Sequence, residues 1–355
     1  MLNPDLSLNY SLDHQLSSYD YELPIDRIAQ NPVVPRDNSR LLVVESNRNI
    51  DHRRFDQLAQ ILRAGDLLIL NDTQVIPARL YGNKPSGMNV EILLIEPRDV
   101  NCWLALVKPG KRLPVGSKII FSQEVQATVI EIDVVTGGRV LEFDLGIDRT
   151  MDEVMTELGQ IPLPPYINAS QADPSQYQTV YAEKKGAIAA PTAGLHFTDR
   201  LLAELADLGV AQTRITLHVG IGTFRPVETE DITQHVMHQE WLEVSAQSID
   251  AIKATKARGG RVIGVGTTVA RALESSKLEP FRGKTNLMIY PGYEWQVLDG
   301  LITNFHLPKS SLLMLVASFL GDRGRERLLD IYAKAIEHQY RFYSFGDAMV
   351  IINQD

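Results

Sequence analysis

The chain has one cysteine, Cys102, among 355 residues. A single thiol cannot build a disulfide framework within the chain or a multi-cysteine zinc site, so a reducing compartment is the expected setting. An export signal is also missing. Residues 1–20 are polar, include Asp5 and Asp13, and lack a basic start followed by an apolar run, so the expected location is the cytoplasm. Long apolar runs are absent: the greasiest stretch, residues 312–320, is interrupted by Ser318 and is far short of a membrane span, which makes it a buried core helix. Positive charge is in deficit, with 35 basic against 44 acidic residues and a net charge of −9. That balance argues against bulk nonspecific nucleic-acid binding and leaves room only for a local basic face. Neither a His-Glu-x-x-His helix nor a Gly-x-Ser-x-Gly elbow occurs, which disfavours a zincin site and serine nucleophilic catalysis.

What is present is a chain long enough for two domains, 44% hydrophobic. Residues 1–19 show little periodicity and read as a loose arm. The block Glu22 to Gln30 then reads as a short helix entered through Pro24, and Arg40 to Val44 as a strand. Phe55, Leu58, Ile61 and Leu62 sit at helical spacing before Gly65, and the apolar run Leu67 to Leu70 reads as a buried strand, so the pattern is α/β alternation. Between residues 78 and 149 it changes to short β segments at 90–95, 102–107, 118–121, 125–132 and 140–143, with no convincing amphipathic helix. The expected architecture is a mixed α/β main domain, residues 1–77 and 150–355, with an inserted small β-barrel, residues 78–149. Residues 151–158 read as a helix and the proline-rich residues 161–167 as an extended connector back to the main domain.

Chemistry-bearing residues gather where strands end. Asn71-Asp72-Thr73 follows the strand at 67–70, a place where α/β proteins keep site residues, although the tripeptide also makes an ordinary Asx-turn. In residues 189–240 lie four of the 8 histidines: His196, His218, His235 and His238. Pro191 and Gly194 make a turn, Thr198 caps the helix marked by Leu201, Leu202, Leu205 and Leu208, and Gly209 stops it. Arg214 to Val219 reads as a strand with Ile215, Leu217 and Val219 on one face and Arg214, Thr216 and His218 on the other. Gly264-Val265-Gly266-Thr267-Thr268 sits at a strand-to-helix turn able to hold an anionic group on backbone N–H groups, and Thr303-Asn304-Phe305-His306 ends another strand. Residues 311–320 form the next helix, and Arg341 to Met349 reads as a last β segment after a terminal helix. The histidines read equally as metal ligands or as a general acid or base assisted by Glu240 or Asp72.

Several blocks together carry a resemblance. Asn71-Asp72-Thr73-Gln74-Val75-Ile76-Pro77-Ala78-Arg79-Leu80, Pro191 to Thr198, His218-Val219-Gly220-Ile221-Gly222-Thr223-Phe224-Arg225-Pro226, Tyr290-Pro291-Gly292-Tyr293, Thr303 to Pro308 and Tyr340 to Met349 closely resemble the S-adenosylmethionine:tRNA ribosyltransferase-isomerase family of queuosine biosynthesis. The likeness runs from about Tyr21 to the C-terminus; Gln74 stands where an Arg is expected, and Val269-Ala270 replaces a Ser-Val pair.

The resemblance implies an α/β domain with an inserted β-barrel. It also implies transfer of the ribosyl portion of the co-substrate S-adenosylmethionine to 7-aminomethyl-7-deazaguanine at the tRNA wobble position. The product is epoxyqueuosine, adenine and methionine leave, and no metal, membrane or obligate protein partner is expected. On this footing His196 or His218 is the proton-transfer group, and Asp72 and Glu240 hold the ribose or steady the sulfonium. Asn71, Thr73, Thr192, Ala193, Gly194, Gly266, Thr267, Thr268, Asn304 and His306 contact the co-substrate. Arg79, Lys108, Lys111, Arg271 and Arg341 face the methionine carboxylate or the tRNA. The rival expectations are a metal-dependent hydrolase built on His196, His218, His235 and His238, and a noncatalytic RNA-binding module, which the net charge of −9 disfavours.

Overall fold

A strand as apolar as Leu67-Leu68-Ile69-Leu70 has to be covered on both faces, and it becomes the middle of a nine-stranded sheet. The computed structural model describes residues 12–45, 49–167, 169–220, 222 and 227–352; residues 1–11 of the arm and residues 221 and 223–226 of the glycine-rich block lie outside them. In chain order the strands are β1 (Arg40–Glu45), β2 (Ile50–Arg54), β3 (Leu67–Asn71), β4 (Thr73–Val75), β5 (Arg79–Asn83), β6 (Asn89–Asp99), β7 (Cys102–Lys108), β8 (Lys118–Ile120), β9 (Gln126–Ile132) and β10 (Arg139–Asp144). There follow β11 (Lys184–Ala187), β12 (Ala211–Leu217), β13 (Glu240–Val244), β14 (Val262–Val265), β15 (Phe281–Thr285), β16 (Gly300–Asn304) and β17 (Ala348–Ile352). The helices are α1 (Met151–Leu158), α2 (Asp199–Asp207), α3 (Ala246–Ala257), α4 (Thr267–Ser276), α5 (Ser311–Phe319) and α6 (Gly324–Glu337).

The chain forms two compact units, the larger from Met1–Gln74, Pro165–Lys184 and Ala190–Asp355, the smaller from Val75–Pro164 and Lys185–Ala189. The large sheet runs β15-β13-β12-β3-β14-β16-β17-β1-β2. Its central strands β12, β3, β14 and β16 are parallel, so their C-terminal ends emerge along one edge. Successive connections leave β3 towards β12 on one side and β14 on the other, the arrangement that opens a crevice at strand ends in α/β sheets. Leu68 and Leu70 of β3, Ile263 and Val265 of β14 and Ile302 of β16 share a core with Phe55, Leu58, Phe197, Leu201 and Leu205. The opposite face carries α4, which Asn71 reaches through Thr268.

The smaller unit is a closed barrel, β10-β7-β6-β5-β8-β9. Strand β5 escaped the sequence reading because its Gly82 weakens the strand signal; a Cβ there would lie 2.9 Å from Ile119 and from the Ile120 carbonyl, so only glycine fits. Helix α1 belongs with the barrel and not with the main domain. Gly159 at its C-terminus packs so tightly on Pro77 that a Cβ would lie 2.0 Å from that carbonyl, and Gln160 N–H donates to the Arg79 carbonyl at 2.8 Å. Buried Arg139 shapes the loop after β7: Nε donates to Leu113 O, Nη2 to Gly110 O and Nη1 to Gly137 O and Gly138 O, at 2.7–3.0 Å. Lys108 and Lys111 lie on this framework with their side chains exposed.

Three local expectations change. The stretch at Phe55–Gln60 is a 3-10 helix, too short to pay the nucleation cost of an α-helix and tightened where Phe55 and Leu58 turn into the core. Residues 341–347 are a turn, not a strand, because the buried Asp347 carboxylate accepts from Arg40 N at 3.0 Å and Arg341 N at 2.8 Å; β17 begins only at Ala348. The described part of the N-terminal arm is docked. Leu16 and Tyr19 are buried, Arg325 Nε holds Asp13 Oδ1 at 2.8 Å, and Lys309 N–H donates to Tyr19 O.

Candidate active site

Parallel strands deliver their following residues to one edge, and here they deliver Asn71-Asp72-Thr73 from β3, His218 from β12, Gly266-Thr267-Thr268 from β14 and Asn304 from β16. Gly266 has φ 92° and ψ 154°, a conformation open only to glycine, and it starts α4 with no side-chain cap. The first amides of α4 are therefore left for another acceptor. A Cβ on Gly266 would lie 3.6 Å from the Ala193 Cβ, so this turn sits against the 3-10 turn Thr192–His196.

Asn71 is a clamp. Its Oδ1 accepts from Thr73 N at 3.2 Å and Leu217 N at 3.0 Å, while Nδ2 donates to Leu217 O at 3.0 Å and Thr268 Oγ1 at 3.3 Å. Every hydrogen-bonding position of the amide is filled, so it ties β3, β12 and α4 together and has none left for a co-substrate. Asp72 differs. It is buried, Thr216 Oγ1 donates to its Oδ1 at 2.6 Å, and burial raises its pKa above the usual carboxylate value against that bond's opposing effect. His218 stacks on Trp241 with centroids 5.0 Å apart and uses Nδ1 on Thr73 Oγ1 at 2.8 Å; among the described residues nothing engages Nε2. Burial, then the charge of Lys184, lowers its pKa and keeps the ring neutral.

His196 is placed differently from the expectation. The Tyr343 carbonyl accepts from Asn304 Nδ2 at 3.1 Å, which fixes the amide's orientation, so Nδ2 also donates to His196 Nε2 at 3.2 Å. The proton then resides on Nδ1 and is donated to Ser39 Oγ at 2.7 Å. Both ring nitrogens are committed, the ring stacks on Phe55 at 5.0 Å, and burial takes the pKa down to about 3. A proton carrier needs an accessible second state near neutrality, and His196 lacks one; it is a brace for Asn304. We expect His196→Gln to lower turnover by no more than about tenfold, and the wild-type imidazole to show no titration between pH 5 and 8 by NMR. A His196 resonance titrating near neutrality would restore it as the base.

Glu240 and Arg271 are paired with each other, both almost fully buried; Glu240 also accepts from Gly220 N at 3.2 Å, and Arg271 Nε donates to Leu287 O at 3.1 Å. The two opposite charges face each other inside the protein, and Arg271 Nη2 has no partner among the described residues. His306 is anchored to Thr303 Oγ1 at 2.8 Å, receives the Tyr21 hydroxyl on its carbonyl and has its pKa lowered by burial to about 3. It holds the N-terminal segment. Arg341 closes the turn onto Asp347 at 3.3 Å and onto Asn31 O. Arg79 is engaged inside the smaller unit by Glu91 at 3.3 Å and by Leu163 O.

His196 lies by Asn304 and His218 by Trp241, while His235 feels the charge of its neighbour His238, which packs against Gly222, where a Cβ would lie 2.4 Å from its own. Among the described residues no three His, Cys, Asp or Glu side chains are arranged to hold a metal ion, so the histidine-cluster expectation has no geometric basis. Residues the motifs did not point to are Thr216, Trp241, Ser39, Thr179 and Tyr181. Only Thr216 had a signal, through its place beside His218 on the polar face of the strand.

A family model described as queuosine biosynthesis protein matches residues 16–351. The chain belongs to that family. It is 59% identical to the S-adenosylmethionine:tRNA ribosyltransferase-isomerase of Nostoc sp. (strain PCC 7120), over 96% of this chain and 93% of that one. It is 48% identical to the protein of the same name from Halothermothrix orenii, over 95% of this chain and all of that one. The crystal structure of S-adenosylmethionine tRNA ribosyltransferase from Thermotoga maritima matches with a TM-score of 0.54 and 36% identity, covering 94% of this chain and 100% of that one. The family match starts at residue 16, so it includes the docked segment from Leu16.

Proposed function

We propose that this chain transfers and isomerises the ribosyl portion of S-adenosylmethionine onto 7-aminomethyl-7-deazaguanine at the wobble position of tRNA, giving epoxyqueuosine with release of adenine and methionine. The observation that carries this reading is the meeting of Asp72, His218, the Gly266 turn and Asn304 on one sheet edge in a chain that matches the family over residues 16–351. S-adenosylmethionine is the co-substrate and tRNA the partner, which sets the work in the cytoplasm. Among the described residues no helix is long and apolar enough to cross a membrane.

The chemistry begins at the carbon next to the sulfonium, whose hydrogen is acidified by the positive sulfur. A base removes that proton, adenine departs with its bonding pair, and the aminomethyl nitrogen bonds to the ribosyl carbon; ring closure expels methionine. We assign the base to Asp72. A carboxylate whose pKa is raised by burial is a stronger base than an exposed one, and Thr216 fixes its orientation. His218, held neutral with Nδ1 on Thr73, is assigned to the departing adenine through Nε2. The Gly266 turn and the Thr192–His196 turn supply backbone and hydroxyl contacts to the co-substrate. Glu240 and Arg271 position the edge of β13 against α4. Lys108 and Lys111, exposed on the Arg139 framework, are assigned to tRNA phosphates.

Adenine release from S-adenosylmethionine tests this, with and without tRNA carrying the 7-aminomethyl-7-deazaguanine base. Release that requires the modified tRNA, and that weakens with salt and with Lys108→Glu or Lys111→Glu, is the expected result. Absence of release, or release indifferent to the tRNA, would overturn the reading.

A further inference from the structure

Folded chains leave very few buried polar atoms without a partner, so a group of them in one place calls for an explanation. Several neutral ones lie by the Thr192–His196 turn, and among them are Thr179 Oγ1, Tyr181 Oη and Asn304 Oδ1, none with a partner among the described residues. Thr179 and Tyr181 are 4% and 6% exposed. The two meet at Gly194, where a Cβ would lie 2.1 Å from the Tyr181 hydroxyl and 2.9 Å from Thr179 Cγ2. The Tyr181 hydroxyl thus packs directly on the bare α-carbon of Gly194. At the other end of the turn Asn304 has both amide hydrogens spent on Tyr343 O and His196 Nε2, so its Oδ1 can only accept, and among the described residues it accepts nothing.

We propose that Thr179, Tyr181 and Asn304 form an uncharged subsite that reads the ribose hydroxyls of S-adenosylmethionine; this rests on the function proposed above. Two hydroxyls that can each donate or accept, and one carbonyl oxygen that can only accept, match the donors and acceptors of a vicinal diol. None of the three atoms carries charge, which suits a sugar better than a carboxylate or a phosphate. Their depth favours the small co-substrate over a polynucleotide, because only the end of a small molecule reaches side chains so little exposed. The neighbouring Gly266 turn, where a Cβ would lie 3.6 Å from that of Ala193, leaves the rest of the nucleoside beside uncapped amides of α4. His196 acts here as a positioning residue, holding the Asn304 amide so that Oδ1 remains presented.

The subsite makes an unusual pair of demands on isosteric variants. Removing a buried hydroxyl that has no partner relieves the free protein of its desolvation penalty, whereas it takes a hydrogen bond from the bound ligand. Thr179→Val with Tyr181→Phe should therefore leave the thermal midpoint unchanged or higher, while weakening binding of S-adenosylmethionine by about tenfold in calorimetry. An analogue lacking both ribose hydroxyls should bind wild type and variant alike. A lower midpoint with unchanged affinity, or an equal loss of affinity for the analogue, would overturn the subsite and leave the ribosyl transfer standing. Wild-type protein that neither binds S-adenosylmethionine nor releases adenine would overturn both. Asn304→Leu supplies an independent arm: the same discrimination between the two ligands is expected, and its absence counts against the Asn304 assignment.

Discussion

Replacing Asp72 by Asn should lower kcat for adenine release by about 10²–10⁴-fold and at the same time raise the resistance of the protein to unfolding at neutral pH. Both effects come from one feature. Burial raises the pKa of this carboxyl above its ordinary value, so at pH 7 the fold holds a charged group where a neutral one would be better tolerated. A carboxyl whose folded pKa is raised contributes stability below its unfolded pKa and loses that contribution as pH rises through the folded pKa. Asn removes the charge and keeps an oxygen for the Thr216 hydroxyl, which now donates at 2.6 Å. The same shift sets the pH profile. Wild-type kcat should fall as acid protonates Asp72, at a pH above that of an ordinary aspartate, and the residual activity of Asp72→Asn should lack this limb. Near-normal kcat in the variant, or a lower unfolding midpoint, would remove Asp72 from the role of base.

The second large effect belongs to the Glu240–Arg271 pair. Arg271→Ala would take the ion-pair partner from a buried carboxylate and is expected to destabilise the fold by about 3–5 kcal/mol, read as a drop in the urea midpoint. Arg271→Met combined with Glu240→Gln removes both charges and should recover most of that loss, because the penalty comes from burying one charge without the other and not from the missing contact. The Gln side-chain oxygen at 240 can still accept from Gly220 N–H, so that contact is kept in the double variant. Equal destabilisation of the single and double variants would show that the pair acts through packing alone.

Much of this architecture was legible from residue order. The apolar run 67–70, the strand-to-helix turn at Gly264 to Thr268, Thr198 as a helix cap and the helix at residues 311–320 all stand as read, because each is set by local pattern. The α/β class and the barrel followed from helix content changing abruptly near residue 78. Site roles were less legible, since they depend on partners far away in sequence. His196 looked available until Ser39 and Asn304, 157 and 108 residues distant, took both its nitrogens. Arg271 looked like a ligand-seeking cation until β13 supplied Glu240. Thr179 and Tyr181 carried no motif at all; only their burial without partners makes them conspicuous.

The strand order also constrains how the chain can be assembled as it is synthesised. Strands β1 and β2 join the large sheet only through β17, with Leu41 to Glu45 in register with Ala348 to Ile352. The hairpin of these early strands must therefore wait for nearly the last residues made before it joins the sheet, and a message cut short ahead of codon 348 would leave it without a place there. The barrel is under no such constraint: all its strands lie between Arg79 and Asp144, and its ring closes on itself. Translation thus supplies every strand of the barrel while the large sheet is still missing the strand that joins its two parts.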